Sequence, residues 1–348
     1  MIEIDGSIGE GGGQVLRSSL TLSVMTGQPL HISNIRAKRK KPGLRAQHLQ
    51  AVRAASAICG ASVSEAQIGS AELIFDPGEI IGGKYHFDIG TAGSTSLVLQ
   101  TILLPLARAK RASTVTITGG THVQWSPCFH YLDWHWLLYL RQMGVESELV
   151  MDHAGFYPQG GGRIRARIQP KELLQPLNLT ERGAVRQIRG ISATANLPRD
   201  IAKRQRQRVV SRLGSKYPLN DIRIVQFPAR VKGTVIILLA EFEYSQCCYF
   251  ALGAPGKRAD LVADEVVDAI EEFMASDGAI DQYLADQILL PLSFADGPSR
   301  LHTSKITQHL LTNAEVIQAF LPTEIKVHAQ LGESGIVEII PRKITTDK

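Results

Sequence analysis

The apolar and polar positions of the chain repeat one order of predicted elements: strand, glycine-rich turn, apolar helix, strand, second helix and hairpin. The first copy begins with the alternating residues Ile2 and Ile4, turns at 9–13, and continues as a helix that ends at Gly27. A second apolar-faced helix ends at Gly60 and precedes a hairpin. This order predicts a small sheet covered on one face by two helices.

The same order of elements restarts twice further along the chain. The second copy begins near Tyr85, turns at 90–93, and has Ser94 in position to cap the next helix. The third copy is recognised from the octapeptide at 288–295, which nearly repeats the one at 102–109. The sequence therefore predicts three units that share a core.

The spacing of the copies indicates an insertion. Gly144 follows Gly60 by 84 positions, whereas Ile288 follows Ile102 by 186. The difference leaves roughly 100 extra residues, which is the size of a small domain. Three strands, at 188–195, 222–227 and 235–242, and a basic helix at 199–213 are predicted there. We therefore expect a large domain of residues 1–181 and 276–348 and an inserted α/β domain of residues 182–275.

Composition places the chain among ordinary folded proteins, with 44% apolar and 20% charged residues in a length of 348. A net charge of +5 and a pI near 9.0 favour a polyanionic partner without requiring one. The four cysteines form no CxxC pair, so neither a disulfide framework nor a zinc site is predicted. The N-terminus lacks a signal peptide and the longest apolar run, 235–240, is far below the ~20 residues of a membrane span. We expect a cytoplasmic protein without membrane contact.

Two glycine-rich turns, at 9–14 and 90–94, are candidates for phosphate binding. Glycine lets the backbone approach a ligand closely and present its N–H groups to phosphate oxygens. Neither turn is a Walker A sequence, and no GxGxxG motif precedes a helix. The need for a tight turn explains the glycines of either turn alone. Phosphate binding better explains why glycine-rich turns occur at both places.

His309 is a candidate nucleophile at the start of the last predicted helix of the third copy. A neutral imidazole can attack phosphorus and form a phosphoramidate that readily gives up its nucleotide. On the residues alone, a partly buried histidine beside a helix cap is the simpler interpretation.

Several charged and amide residues complete the set of candidates. A basic stretch at 36–45 leads into the helix with Gln47 and His48, and is either an anion-binding surface or a solvated connector. Glu10 lies within a glycine turn, where its carboxylate is suited to magnesium. The segment 283–287 is the counterpart of the Gln100 helix, and repeat symmetry predicts that aromatic and amide groups converge there on a purine. On the predicted helix of the insert, we interpret Lys203, Arg204, Arg206 and Arg208 as a solvated charged face.

Five motifs occur in one order along nearly the whole chain, at 10–17, 35–49, 90–94, 155–162 and 309–313. Together they resemble the RNA 3′-terminal phosphate cyclase family, in its catalytic branch. The resemblance implies an α/β (α+β) fold of three repeated units, each with two helices on a four-stranded sheet, and a smaller inserted α/β domain.

The resemblance also implies an activity. A family member uses ATP to convert an RNA 3′-phosphate end into a 2′,3′-cyclic phosphate, through a covalent histidyl-AMP and an RNA-(3′)pp(5′)A intermediate, and it releases pyrophosphate and AMP. Mg²⁺ or Mn²⁺ is the expected metal. RNA with a 3′-phosphate end is the expected partner, DNA 3′-phosphate ends are a further candidate, and the chain is expected to be a monomer or a homodimer.

The resemblance also assigns roles to residues of this chain. His309 matches the histidine that is adenylated. ATP contacts fall on Gln100, Tyr283, Leu284, Ala285, Asp286, Gln287 and Glu10, with Glu10 also next to the metal. Contacts with the terminal phosphate of the RNA fall on Arg17, Arg36, Arg39 and His48.

The segment after Thr121 departs from the family pattern, because His122, Gln124, Trp125 and Cys128 stand where asparagine and proline-rich residues are expected. Substrate contacts there stay open, including stacking of a base on Trp125, whereas Trp136 has the spacing of a core residue. One alternative is a non-catalytic relative that acts in ribosome assembly, but that branch lacks the nucleophilic histidine. A second, a carboxyvinyl transferase of similar repeats, requires a longer chain.

Overall fold

The computed structural model describes residues 1–64 and 66–342 and contains four four-stranded sheets. Three of the sheets share one topology, and each is covered by two helical segments. The fourth belongs to the inserted segment. The predicted α/β (α+β) fold of three repeated units with a smaller inserted unit is thereby confirmed.

The first unit has the predicted order of elements. It comprises β1 (Ile2–Asp5), α1 (Gly13–Thr26), β2 (Leu30–Ser33), α2 (Ala46–Cys59), β3 (Ser62–Ser64) and β4 (Leu73–Asp76). The strand order is β1-β2-β4-β3, with β1 and β2 parallel and the other pairs antiparallel. Both helices end at a glycine in the left-handed region, Gly27 (φ 69°) and Gly60 (φ 64°), which other residues rarely adopt.

The second unit repeats this topology. It comprises β5 (Lys84–Asp88), α3 (Thr95–Ala107), β6 (Ser113–Gly119), β7 (Ser147–His153) and β8 (Gly162–Ile168), in the order β5-β6-β8-β7. Between β6 and β7, α4 (Phe129–Tyr131) continues through a π-helical turn (Leu132–Trp136) into α5 (Leu137–Gln142). Ser94 caps α3 as predicted, since its hydroxyl accepts a hydrogen bond from the Leu97 amide at 3.3 Å.

The inserted segment follows β9 (Asn178–Leu179). It comprises β10 (Val185–Ala195), α6 (Arg199–Leu213), β11 (Leu219–Gln226), β12 (Gly233–Phe242), β13 (Gln246–Leu252) and α7 (Ala259–Ala275), with the strand order β11-β10-β12-β13. The three predicted strands and the predicted basic helix are present. Strand β13 and helix α7 had not been predicted.

The third unit closes around the insertion. After the insert come α8 (Gln282–Leu292), β14 (Ser299–Thr303), α9 (Gln308–Phe320), β15 (Glu324–His328) and β16 (Gly335–Ile340). Their sheet has the order β9-β14-β16-β15, so β9 is the first strand of this unit. The insertion therefore lies between the first strand and the first helix of the third unit.

The core lies between the sheets and the helices of the three units. Helix α1 packs against α2, α3 and α9, and α9 also packs against α8. A separate cluster of buried residues, including Ile188, Val266 and Phe273, forms between the sheet and helices of the insert. The proposed domain boundaries stay a prediction, and residues 343–348 of the predicted large domain lie outside the described residues.

Strand β8 shows how the sequence pattern selects the buried face. Its alternation of Ile164, Ala166 and Ile168 with Arg163, Arg165 and Arg167 places the first set in the core and the second set in solvent. Within residues 1–64 and 66–342, no helix has the length and apolar content to cross a membrane.

Candidate active site

His309 is the second residue of α9 and its side chain is 47% exposed. The helix begins after Thr307, whose hydroxyl accepts a hydrogen bond from the Leu310 amide at 3.1 Å. The N-terminal end of a helix favours anions, because unpaired N–H groups and the helix dipole both point there. The candidate nucleophile therefore lies at an accessible end that is suited to phosphate.

Two amide side chains form hydrogen bonds at this site: Gln14 bonds to the His309 ring, and Asn313 bonds to the neighbouring Asp286. His309 Nδ1 lies 2.7 Å from Gln14 Oε1, and because that oxygen can only accept, the imidazole N–H is on Nδ1. Gln14 Nε2 in turn donates to Asp286 Oδ1 at 2.5 Å, and Asn313 donates to the Asp286 carbonyl oxygen at 3.0 Å. With the proton on Nδ1, Nε2 is the ring nitrogen whose lone pair can attack once its contact with the Glu10 carboxylate is released.

The first glycine turn packs directly on α9. Gly9 has φ 54°, and a Cβ at this position would lie 1.8 Å from the Thr312 hydroxyl oxygen, so a side chain is excluded. This contact brings Glu10 to the nucleophile: Glu10 Oε2 is 3.1 Å from His309 Nε2 and 3.2 Å from Arg39 Nη2.

Three of the four residues predicted to bind the RNA phosphate lie against the same turn. A Cβ at Gly13 would lie 2.4 Å from His48 Nε2 and 2.9 Å from Arg17 Nη1, and a Cβ at Gly12 would lie 2.9 Å from Arg39 Nη2. The glycines thus allow cationic and imidazole groups to approach the main chain. The result is a concentration of positive charge and N–H donors next to His309.

Burial lowers the pKa of two groups beside the turn, Arg17 and His48, with different consequences for their charge near neutral pH. Burial lowers the pKa of His48 to about 3, with Arg17, Arg36 and Arg45 acting in the same direction. Burial also lowers the pKa of Arg17 to about 10, against the opposing effect of Asp286. Near neutral pH, Arg17 is therefore a cation and His48 is a neutral hydrogen-bonding group.

Arg36 has a different position from the other three. Its Nη1 donates to the carbonyl oxygens of Lys41 at 2.7 Å and Gly43 at 2.8 Å, and its own φ is 57°. The side chain thus holds the basic connector in its shape. Direct contact of Arg36 with an RNA phosphate stays a prediction.

The residues of α8 that are predicted to contact ATP lie on more than one face of the helix. Gln287 Oε1 accepts a hydrogen bond from Gln100 Nε2 at 2.7 Å. The residue before it, Asp286, accepts a hydrogen bond from Gln14. Tyr283 is 51% exposed, whereas the side chains of Leu284 and Ala285 are fully buried in the core. The structure joins Gln100, Asp286, Gln287 and Glu10 to the surroundings of His309, and the ATP contacts of this set stay a prediction.

Asp286 is an ionisable group in an unusual environment. Burial raises its pKa to about 6, opposed by His309, Gln14, Arg17 and Asn313. A carboxyl group with a raised pKa beside a nucleophile and a ligand surface is typical of a functional site.

Sequence reasoning assigned no role of their own to three side chains near the site, Gln14, Gln47 and Asn313. Gln47 Oε1 accepts from the Ser94 amide at 2.7 Å, which ties the second glycine turn to α2. Asn313 accepts from the Ser18 hydroxyl at 2.7 Å. All three lie inside the motifs at 10–17, 35–49 and 309–313, but only the fold shows what they contact.

Other sequence candidates lie elsewhere. Trp125 is 96% exposed with φ 63°, and Trp136 is buried as expected of a core residue. On α6, Arg204 pairs with Asp200, and Arg208 pairs with Asp264 of α7. These pairs agree with a charged structural surface on the insert.

The donor set suits a metal ion that is shared with phosphate oxygens. Over the described ranges 1–64 and 66–342, no three His, Cys, Asp or Glu side chains form a cluster that could hold a metal. Mg²⁺ is commonly bound by one or two carboxylates together with substrate phosphates, and Glu10 is one accessible carboxylate next to the nucleophile. Glu10 therefore fits such an ion as one protein carboxylate, in exchange for its contacts with Arg39 and His309.

Comparisons with known proteins agree with this geometry. The sequence model described as RNA 3′-terminal phosphate cyclase matches residues 8–327. Proteins of that name are 46% identical in Pseudomonas fluorescens, 43% in Nostoc punctiforme and 42% in Archaeoglobus fulgidus. The alignments cover 94% of this chain in each case and 94%, 96% and 97% of the relatives. The chain therefore belongs to the RNA 3′-terminal phosphate cyclase family, a family of enzymes.

Proposed function

We propose that this chain uses ATP to convert an RNA 3′-phosphate end into a 2′,3′-cyclic phosphate, and that His309 carries AMP during the reaction. The single observation that carries the proposal is the placement of the His309 ring. Its Nδ1 is held by Gln14, and its Nε2 faces Glu10 and becomes the nucleophile when that carboxylate turns to the metal ion. A glycine turn with Arg17, Arg39 and His48 lies alongside.

In the first step, His309 Nε2 attacks the α-phosphorus of ATP. A nitrogen–phosphorus bond forms, the bond from that phosphorus to the bridging oxygen breaks, and pyrophosphate leaves. Glu10 would hold Mg²⁺ or Mn²⁺, which supplies charge neutralisation on the triphosphate. Gln14 keeps the ring oriented throughout, because its oxygen bonds to the Nδ1 proton in the free and the adenylated histidine alike.

In the second step, an oxygen of the RNA 3′-phosphate attacks the phosphorus of the histidyl-AMP. The phosphorus–nitrogen bond breaks, so His309 is restored and the RNA end becomes RNA-(3′)pp(5′)A. In the third step, the neighbouring 2′-hydroxyl attacks the RNA phosphorus, loses its proton to solvent, and expels AMP. Arg17 and Arg39 would neutralise the charge on these phosphates, which is the main contribution that a protein makes to such transfers.

DNA 3′-phosphate ends distinguish the second step from the third. A DNA end offers the same attacking phosphate oxygen, so it would accept AMP from His309. It has no 2′-hydroxyl, so cyclisation would not follow, and the adenylated end would accumulate.

Two further properties stay predictions. The reduced cysteines expected from the sequence fit a cytoplasmic location. The state of association, monomer or homodimer, is to be measured by light scattering on the purified chain.

The activity is tested on a short RNA that carries a labelled 3′-phosphate. With ATP and Mg²⁺, we expect the label to become resistant to phosphatase, and we expect AMP and pyrophosphate to appear in equal amounts. His309→Ala should abolish the conversion, whereas His328→Ala, which removes an exposed histidine paired with Glu338, should leave it unchanged. Conversion by the His309→Ala variant at the wild-type rate would contradict the proposal, as would the absence of conversion in the wild type.

A further inference from the structure

A fully buried carboxylate, Asp281, lies immediately before α8 and outside the groups that the proposed reaction uses. Its Oδ1 accepts from the amides of Tyr283 at 3.0 Å and Leu284 at 2.9 Å, and from the Tyr131 hydroxyl at 3.2 Å. Its Oδ2 lies 2.6 Å from His135 Nε2. A charge can stay buried only when it is hydrogen-bonded in this way, and the N-terminal end of a helix favours a negative one.

The protonation of His135 follows from its second partner. The Gln246 amide nitrogen lies 3.1 Å from His135 Nδ1 and 2.7 Å from the Trp134 carbonyl oxygen. Turning the amide over would place its oxygen against that carbonyl, so the nitrogen donates to both atoms. Nδ1 is therefore an acceptor, and the ring proton is on Nε2, where it is donated to Asp281.

Gln246 belongs to the insert, while His135 and Asp281 belong to the second and third units. Gln246 begins β13, and its main-chain amide and carbonyl oxygen both bond to the Tyr139 hydroxyl, at 3.0 and 3.3 Å. Tyr131, His135 and Tyr139 stack edge to face along one side of the segment that contains the π-helical turn. The edge strand of the insert is thereby connected to the start of α8 through buried polar contacts.

Helix α8 carries this connection to the candidate site. Asp286 lies about 8 Å further along the helix than Asp281, at a rise of 1.5 Å per residue. It accepts from Gln14, the residue that orients His309, and the next residue, Gln287, accepts from Gln100. A displacement of the start of α8 therefore moves the side chains that surround the nucleophile.

We propose that Gln246, His135 and Asp281 form a positioning relay through which the inserted domain sets the place of α8 and of the ATP-binding residues on it. The inference rests on the proposed function for its consequence in catalysis. None of the three residues touches the reacting atoms, so all three act by positioning.

The variant Gln246→Leu tests the relay because it removes the donor to His135 and leaves the reacting groups in place. We expect the KM for ATP in single-turnover adenylation of His309 to rise about fivefold, as loss of a buried hydrogen bond implies, with little change in the rate at saturating ATP. Combining it with Asp281→Asn should raise KM no further than Asp281→Asn alone, because both changes act through His135.

Gln205→Leu is the matched control. Gln205 is a fully buried glutamine of the insert, and its oxygen accepts from Ser192 at 2.8 Å and Thr234 at 3.2 Å, both also in the insert. This variant should lower the thermal stability as much as Gln246→Leu does, or more, and leave KM for ATP unchanged. An equal rise in KM for the two variants, or an unchanged KM in Gln246→Leu, would show that no relay exists.

A readout without ATP separates the relay from the proposed function. Hydrogen exchange of the amides of Tyr283 and Leu284, followed on the peptide that contains them, should become faster in Gln246→Leu and stay unchanged in Gln205→Leu. If the wild type takes up no AMP, the proposed function fails while this measurement still decides the relay. Unchanged exchange in Gln246→Leu would overturn the relay whatever the activity.

Discussion

At the scale of single residues, the Gln14 amide determines what His309 can do. Its oxygen accepts a hydrogen bond from His309 Nδ1 and its nitrogen donates one to Asp286, so one side chain acts as acceptor and donor at once. An imidazole that was free to exchange tautomers would place the proton on Nε2 part of the time. Nε2 would then not be available as a nucleophile.

Gln14→Leu should therefore slow the adenylation of His309 by about tenfold, the equivalent of one hydrogen bond of about 1.4 kcal/mol. Gln308→Leu provides the control, because Gln308 precedes His309 and bonds to Thr312. Both rates are measured with labelled ATP at saturation. Equal rates for the two variants would show that the Gln14 contact has no influence on the nucleophile.

His48 should make the protein sensitive to acid. Its ordinary pKa is 6.5, and burial and the neighbouring arginines lower it to about 3 in the folded chain. Below pH 6.5 the unfolded chain therefore takes up a proton that the folded chain does not, and stability falls as the pH drops from 6.5 toward 3. Between these values, the free energy of unfolding of His48→Gln should fall less steeply than that of the wild type. Parallel curves in urea titrations at several pH values would contradict this.

At the scale of elements, part of the cationic face of α6 is neutralised within the insert. Arg212 bonds to Asp264 at 3.0 Å and Asp268 at 2.7 Å, and also to Glu271, all on α7. A helix that is rich in arginine is therefore part of the packing between two helices. The charges of Arg204, Arg208 and Arg212 are therefore matched before any nucleic acid approaches.

Arg212→Ala should lower the free energy of unfolding by about 1 kcal/mol, since a partly exposed network contributes little more than single surface pairs. The KM for RNA should not change. Arg39→Ala is the comparison, because Arg39 lies against the glycine turn beside His309 and its loss should raise that KM. A rise of similar size in Arg212→Ala would assign α6 to RNA binding.

Some helices and strands could be predicted from the sequence and others could not, for physical reasons. Helix α6 and the three units followed from periodicity and from repeated segments. Helix α7 also has a readable apolar face, with Val262, Val266, Ile270 and Phe273 buried, and it could have been predicted. The short, largely buried strand β13 lacks the alternation that identifies a strand, and the π-helical turn has no sequence period of its own.

At the scale of the whole molecule, the three units contribute different groups to one site. The first provides Glu10 and Gln14, the second provides Gln100, and the third provides Asp286 and His309. The family resemblance marked all of these residues except Gln14 as candidates. The pairing of Gln14 with His309, 295 positions apart, could not be predicted, because periodicity shows which face of an element is buried and not which units meet.

The most direct measurement is the fate of α-labelled ATP on the purified protein with Mg²⁺ and no RNA. We expect label that stays on the wild-type chain after denaturation, is released by acid and not by alkali, and maps to His309 in a proteolytic digest. His309→Ala should retain none. A wild-type chain that binds ATP or RNA without retaining label, or that carries the label on another residue, would contradict the central role of His309.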